Sequence, residues 1–321
     1  MHFQRIVTSS RLTLPAAQFL SLALWLAAFM LCPLPCTQGW LSGTELPWWA
    51  GRLVSFALCT ATAYFLIQLN NRFALIRTRA SLETAIGLLL AAACPAVHLC
   101  PAGDVSAAAF LLAVYCLFGG YHRHHSSGYL FRSFAFLGAG SLAVPQLTFL
   151  TPLFWAGAYG LRALNLRSFL ASLIGWFFPY WFLLGHAYFY GDMELFLAPF
   201  RELSRFSASD FTFRTDEAVT LGFLFALFAL SGVHHLLTAF NDKISTRSYL
   251  YFLILAGLAL FAAILFQPPL FSRLLPPLII PTAILAGRLL VSSDSRLSDI
   301  FFILTFVGLF LLFGFNLWTL L

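Results

Sequence analysis

The sequence predicts an all-α fold, a polytopic bundle of transmembrane helices, and its composition, apolar runs and charge placement all indicate this class. Hydrophobic residues make up 60% of the 321 residues and charged residues only 9%, whereas a water-soluble protein carries about 25% charged residues. Lipid must therefore solvate most of the surface, which limits the fold to helices or a closed barrel. The apolar runs are too long for barrel strands and favour helices.

Eleven apolar runs divide the chain, which we treat as a single integral membrane domain, residues 1–321. Most runs have 17–23 residues, a length that suits a hydrocarbon core about 30 Å thick at about 1.5 Å per residue. They cover 14–32, 49–69, 84–100, 105–121, 131–145, 147–161, 168–190, 218–240, 249–266, 275–291 and 300–321.

Basic residues gather in alternate connections between these runs. If the N-terminus is cytoplasmic, the connections on that side hold 13 of the 18 Lys and Arg residues, with at least two in each. This is the pattern of the positive-inside rule, so we predict a cytoplasmic N-terminus and an outer C-terminus. The basic residues form no stripe, so nucleic-acid binding is not expected.

The segment 131–161 is interrupted by helix breakers. Each half has about 15 residues, or about 22 Å of helix, which falls short of a full crossing. The segment therefore forms either two thin tilted spans, or a re-entrant hairpin that leaves nine spans elsewhere. Its glycines and prolines either line a cavity or serve ordinary helix packing; they are Gly138, Gly140, Pro145, Pro152, Gly157 and Gly160.

Five prolines lie within residues 267–281, QPPLFSRLLPPLIIP. Because proline removes a backbone donor and disrupts helix interiors, this segment predicts a rigid outer turn followed by a short, proline-broken tenth span.

The outer connection 191–217 carries nine of the thirty charged residues. Pro199 suits the first position of a short amphipathic helix, which would lie on the outer membrane boundary with Phe200, Leu203 and Phe206 facing lipid. One hypothesis is a site for an anionic lipid headgroup or a lipid-linked phosphate, and the other is a solvated loop whose charges pair. The candidate phosphate- or lipid-binding residues are Arg201, Arg205, Arg214 and Arg273.

Other outer polar residues are candidates for chemistry. In an enzyme, Glu45 or Asp210 would act as the general base, and His186 lies near the outer end of the seventh run. His98 and Asp104 flank the third outer connection. No Asp, Glu, Lys or Arg falls near the middle of a run, since Glu83, Asp104 and Arg52 lie at run edges, and this disfavours an ion-driven transporter.

Histidines and cysteines give no metal or cofactor motif. His122, His124, His125, His234 and His235 lie at cytoplasmic run ends with no carboxylate in the pattern, so we expect headgroup-facing or packing histidines, with no metal and no cofactor. Cysteines 32, 36, 94 and 100 border outer connections, where an oxidising exterior allows a disulfide within or between the pairs Cys32, Cys36 and Cys94, Cys100. Cys59 and Cys116 fall within runs and should be free.

Three segments together resemble a known protein family: LNNRFALIRTRASLE (69–83), FRSFAFLGAGSLAVPQLTFLTPLFW (131–155) and RSFLASLIGWFFPYW (167–181). They are similar to multi-pass inner-membrane proteins of Bacteroidota that carry a domain of unknown function. The resemblance spans roughly the first 190 residues and implies a bacterial inner membrane, without implying an activity. The broken short helices also resemble membrane glycosyltransferases that use polyprenyl-phosphate sugars, although the usual first-loop Asp is absent and only Glu45 is present.

Three functions remain open at this point. The first is an outer-face enzyme of envelope glycan or lipid assembly acting on a lipid-linked phosphate substrate, such as a lipid-linked saccharide. The second is a transporter or flippase that uses the broken helices at 131–161. The third is a non-catalytic scaffold subunit whose arginine-rich loops bind partners.

Overall fold

A computed structural model describes residues 13–31, 48–76, 82–98, 100–123, 125–204, 213–292 and 296–320. The described residues form helices and turns, with no strand among them. The α-helices are α1 Thr13–Leu31, α2 Trp48–Phe73, α3 Leu82–Ala93, α4 Pro95–His98, α5 Pro101–Gly119, α6 Ser127–Ala143, α7 Thr151–Gly160, α8 Leu166–Tyr190, α9 Met193–Ser204, α10 Thr215–Thr238, α11 Ile244–Phe266, α12 Phe271–Ser292 and α13 Arg296–Leu320. Short 3₁₀ helices cover Pro145–Leu150, Ala239–Asn241 and Pro268–Leu270.

Seven stretches among the described residues are long and apolar enough to cross a membrane, as expected for a multi-pass membrane protein. They are Trp49–Phe73, Pro101–Gly119, Leu166–Tyr190, Thr215–Asn241, Ile244–Phe266, Pro268–Val291 and Asp299–Thr319. Pro15–Leu31 and Leu82–Ala93 are shorter apolar helices. Each of the eleven runs expected from the sequence falls on a helix, and the number of crossings and the N-terminal orientation stay predictions.

Helix α12 is the most enclosed of the candidate spans, with 94% of its most apolar window buried in the bundle. It continues through Pro276, Pro277 and Pro281 as one helix of 22 residues, so the prediction of a short, broken span was wrong. Pro277 has no N–H to donate to the carbonyl oxygen of Arg273, four residues earlier. The hydroxyl of Ser106 on α5 lies 3.3 Å from that oxygen, while its shorter hydrogen bond, at 2.7 Å, goes to the carbonyl oxygen of Gly103 on its own helix. The neighbouring helix therefore packs a polar group beside the proline-containing turn.

Glycines allow α6 and α8 to cross with their backbones in contact. A Cβ placed on Gly175 would lie 2.3 Å from the carbonyl oxygen of Phe131, and one on Gly138 would lie 2.6 Å from that of Trp176. Gly140 faces Ala109 of α5 at 2.7 Å in the same way. Small residues permit this approach between membrane helices. Gly138 and Gly140 therefore serve helix packing, one of the two roles expected for the breakers in 131–161.

The segment 127–160 leaves and returns to the same end of the bundle. The backbone N–H of His122 donates to the carbonyl oxygen of Leu161 at 3.1 Å, and the hydroxyl of Ser126 donates to that of Ala163 at 2.5 Å. Helix α7 has ten residues, or about 15 Å, and does not cross a hydrocarbon core by itself. Thin spans and a re-entrant hairpin both remain consistent with this path.

Two ends of the bundle can be defined from contacts between connections. At the Arg288 end, the guanidinium of Arg288 donates to the carbonyl oxygen of Leu75 at 2.8 Å and pairs with Asp242. The ring of Tyr249 lies 5.5 Å from that of Tyr121. Connections 74–76, 120–126 and 239–243, which the charge pattern assigns to one side, therefore meet at this end, and its cytoplasmic location stays a prediction. The opposite end, where α5 begins, is called the Asp104 end.

Candidate functional site

Several predicted site residues lie outside the described part of the chain. They are Glu45, Asp210, Arg205, Cys32 and Cys36. Their predicted roles as general bases, phosphate ligands and disulfide partners stay predictions.

The helix expected to begin at Pro199 begins six residues earlier. Helix α9 covers Met193–Ser204, and Pro199 lies inside it, so the predicted start was wrong. The spacing of apolar residues after Pro199 indicated a helix. The residues before Pro199, which include Glu194, were assigned to a loop, although they form the first part of the same helix. Phe200 contacts Tyr180 on α8, with ring centroids 5.3 Å apart, and stays 38% exposed.

Each described arginine of the predicted phosphate set contacts a carboxylate. Arg201 Nη1 lies 2.7 Å from Glu194 Oε1, with both side chains exposed. Arg214 Nε lies 3.2 Å from Asp216 Oδ1. Arg273, at the start of α12, pairs with Glu202 on α9. These contacts agree with the hypothesis that the charges of the outer connection pair, and a phosphate would have to compete with a carboxylate at each position.

His186 is exposed on α8, and its ring lies 4.6 Å from the ring of Tyr190 one turn later. It therefore lies on the face that α8 presents to the surroundings. Its role as a catalytic residue stays a prediction.

A buried polar group at the Asp104 end joins three parts of the chain. The hydroxyl of Ser55 on α2 donates to the carboxylate of Asp104 on α5 and also lies 3.2 Å from the carbonyl oxygen of Val97. Ser55 and Asp104 are 0% and 2% exposed. Arg52, one turn earlier on α2, is also buried, with its guanidinium carbon 5.6 Å from the ring centroid of Phe29. We call Arg52, Ser55 and Asp104 the Asp104 cluster.

His98 closes one side of this cluster. Its Nε2 lies 3.1 Å from the carbonyl oxygen of Ala91, and its ring stacks on Trp25 of α1 with centroids 3.5 Å apart. His98 is the last residue of α4 and is buried. Its ring serves as an aromatic and hydrogen-bonding wall.

A small cavity, partly open to the bundle surface, reaches Asp104 and extends between α2, α3, α5 and α12; we call it the internal cavity. Its volume is about 50 Å³, which is enough for a few water molecules. The lining includes Asp104, Cys59, Leu66, Thr84, Gly87 and Ile280. Thr84 is 1% exposed, and its Oγ1 has no hydrogen-bond partner among the described residues. A buried hydroxyl without a partner is costly, and a water molecule or ligand in the cavity would satisfy it.

A larger groove lies on the other side of the same wall. It separates α1 from α2, has a volume of about 390 Å³, and is lined on one side by Phe19 and on the other by Tyr64. Ala63, Thr84 and Leu88 line both the groove and the internal cavity. These three side chains are therefore the partition between an opening on the bundle surface and the cavity that leads to Asp104.

Two further groups of predicted residues differ from expectation. His235 lies 3.8 Å from Asp242, so a carboxylate does accompany the histidine pair, although no cluster of three potential metal ligands occurs among the described residues. Cys94 and Cys100 are free thiols in buried positions, so the pair does not form the disulfide that its spacing allowed. The prediction that Cys59 and Cys116 are free is confirmed.

Comparisons with protein-family models, with curated proteins and with solved structures give no match to this chain. The resemblance to the Bacteroidota inner-membrane family therefore stays a prediction, and the site must be interpreted from its own geometry.

Proposed function

We propose that this multi-pass membrane protein binds an amphipathic membrane lipid. The lipid chain would lie in the groove between α1 and α2, and its polar head would lie at the Asp104 cluster. The observation that supports this most directly is that Ala63, Thr84 and Leu88 line both pockets, which places the surface groove directly beside the mostly apolar cavity that reaches Asp104.

The groove has the size and chemistry for an apolar chain. A volume of about 390 Å³ falls within the range of about 300–1,000 Å³ that is typical of small-molecule sites. Phe19 and Tyr64 on its two sides are 75% and 58% exposed, and in a bilayer such apolar faces meet lipid. A chain can therefore enter sideways from the membrane without passing through water.

The head of the lipid would meet groups of both charges. Phe56 lines the groove and lies one turn from Arg52 on α2, so the end of the groove adjoins the Asp104 cluster. A guanidinium binds phosphate oxygens, and a carboxylate accepts a hydrogen bond from a hydroxyl. A phosphate-bearing headgroup with a hydroxyl fits this pair. The proposed ligand is therefore still a lipid-linked phosphate, as the sequence suggested, but its site is the Asp104 cluster instead of the connection 191–217.

The test is the lipid that stays with the purified protein. The chain would be extracted with its surrounding membrane patch, transferred to detergent, and analysed by lipid mass spectrometry. Ala63→Trp fills the groove, and Ala61→Trp adds the same bulk to an exposed position two residues away on the same helix. We expect A63W to reduce the retained lipid by about tenfold or more, equivalent to about 1.4 kcal/mol of binding free energy, and A61W to leave it unchanged.

Two results would overturn the proposal. One is wild-type protein that retains only lipid in the proportions of the bulk membrane. The other is equal retention by A63W and A61W while both variants elute as monodisperse species.

A further inference from the structure

A stripe of polar positions, interrupted by Leu66, runs along one face of α2 through the bundle. Ser55, Cys59, Thr62, Leu66 and Asn70 follow one another at spacings of three or four residues, and such spacing places side chains on one face of a helix. Ser55 belongs to the Asp104 cluster, and the next three residues line the internal cavity. The stripe therefore leads from the Asp104 end towards the Arg288 end.

A second buried carboxylate lies at the far end of this stripe. Glu83 is 1% exposed, makes a side-chain hydrogen bond with Asn70, and its Oε2 has no hydrogen-bond partner among the described residues. Glu83 precedes Gly87, a cavity-lining residue, by one turn of α3. A Cβ placed on Gly287 of α12 would lie 2.8 Å from Glu83 Cα. The carboxylate therefore lies one helical turn below the cavity and beside the central helix.

A buried ion pair lies beyond Glu83, at the Arg288 end. Arg288, adjacent to Gly287, pairs with Asp242, and both are almost fully buried. His235 lies beside Asp242 at 3.8 Å. The ionisable groups close to Asp104 are Cys59 and Cys100, with Arg273 near Cys100 and Arg52 near His98. Arg288, Asp242, His234 and His235 form a separate group at the Arg288 end.

We propose that Asp104 and Glu83 are the two proton-binding stations of a pathway through the bundle, connected by water in the internal cavity. The Thr84 hydroxyl, which lines the cavity without a partner, would hold the water between them. Ionisable groups inside membrane proteins commonly mark proton relays. A proton arriving at the Asp104 carboxylate would pass along the water molecules to the Glu83 carboxylate, and each carboxylate would return to its original state after the transfer.

This activity goes beyond lipid binding and shares Asp104 and the groove-lining Thr84 with the proposed lipid site. Glu83 lines neither the groove nor the internal cavity, so E83Q distinguishes a failure of the proton pathway from a failure of lipid binding. The proton pathway revises the expectation from the sequence that an ion-driven transporter is disfavoured. Glu83 and Asp104 lie at run edges in the sequence, but in the folded bundle both are enclosed by neighbouring helices.

The experiment measures proton flux in liposomes that contain the purified full-length chain. A potassium diffusion potential drives protons across the membrane, and a pH-sensitive dye reports their entry. We expect wild-type protein to conduct above protein-free liposomes, and D104N and E83Q to lower that flux by about tenfold or more because an amide does not exchange the proton. E194Q, which neutralises an exposed carboxylate on α9, is the matched control and should leave the flux unchanged.

Thr84→Val provides a variant that retains the fold. It preserves the shape of the side chain and removes a buried hydroxyl that has no partner, a change that is close to neutral for stability. We expect T84V to lower the flux while its melting temperature stays at the wild-type value. Wild-type flux equal to that of empty liposomes, an unchanged flux in folded T84V and E83Q, or a flux that requires sodium would overturn the proposal.

Discussion

Helices α8 and α12 are both long, apolar and interrupted by proline, yet 22% of the most apolar window of α8 is buried in the bundle and 94% of that of α12. Lipid tails are as apolar as leucine, so hydrophobicity does not drive one of these helices inward and leave the other outside. What distinguishes α12 is a buried ion pair, Arg288 with Asp242. Helix α8 combines backbone contact through glycine with uncharged hydrogen bonds, from Trp155 to Ser172 and between Ser141 and Tyr180.

Removing Arg288 should have the largest effect on stability, because it breaks the polar attachment of the central helix. Arg288→Ala leaves Asp242 buried without its guanidinium, and breaking a buried pair in this way costs about 3–5 kcal/mol. The free energy of unfolding in mixed detergent measures the loss. Arg201→Ala is the control, because the exposed pair with Glu194 contributes about 0–1 kcal/mol. Similar losses of unfolding free energy in R288A and R201A would show that burial does not increase the contribution of the Arg288–Asp242 pair.

A methyl group on Gly175 tests how α8 is held. Its Cβ would lie 2.3 Å from the carbonyl oxygen of Phe131, so Gly175→Ala forces α6 and α8 apart and should destabilise the protein by about 1–3 kcal/mol. Gly185 on the same helix has nothing within 4 Å of its Cβ position, and Gly185→Ala should stabilise the helix by about 0.5–1 kcal/mol. Opposite shifts in melting temperature are the expected outcome, and a destabilised G185A would show that the bundle packs more closely there than the structure indicates.

A smaller effect is expected where a polar contact joins α10 to α13. Asn316 Nδ2 donates to Thr220 Oγ1 at 3.1 Å and to the carbonyl oxygen of Ala93 at 3.2 Å. Thr220→Val should cost about 0.6 kcal/mol, the average for such a hydrogen bond between membrane helices. Thr319→Val removes a hydroxyl that bonds only within α13 and should change the unfolding free energy by less. Equal changes in unfolding free energy for T220V and T319V would show that a hydrogen bond between helices contributes no more than one within a helix.

The sequence predicted the helices well because membrane helices need long apolar runs and satisfy their backbone groups internally. It also grouped the connections at the Arg288 end in a way that the contacts of Tyr249 and Arg288 support. It predicted a broken α12 wrongly, because the effect of Pro277 depends on the helices that pack around it. Ser106 lies beside the freed carbonyl oxygen of Arg273, and 167 residues separate the two along the chain.

The candidate site was harder to predict for a related reason. Asp104 and Glu83 were visible as charges at run edges, but their burial depends on which helices surround them. Arg52 was assigned to a run edge for the same reason. The spacing of Ser55, Cys59, Thr62 and Asn70 was the available signal, since a polar stripe on an apolar helix indicates a face that avoids lipid.

The position of α12 near the end of the chain has a consequence for biosynthesis. It is the twelfth of the thirteen described helices, and α3 and α5, which carry Glu83 and Asp104, pack against it. Until the ribosome has delivered residue 292, those two carboxylates have no completed protein enclosure. We therefore expect the early helices to stay incompletely packed until α12 is made, and truncation before α12 to turn the remaining chain into a substrate for membrane proteases.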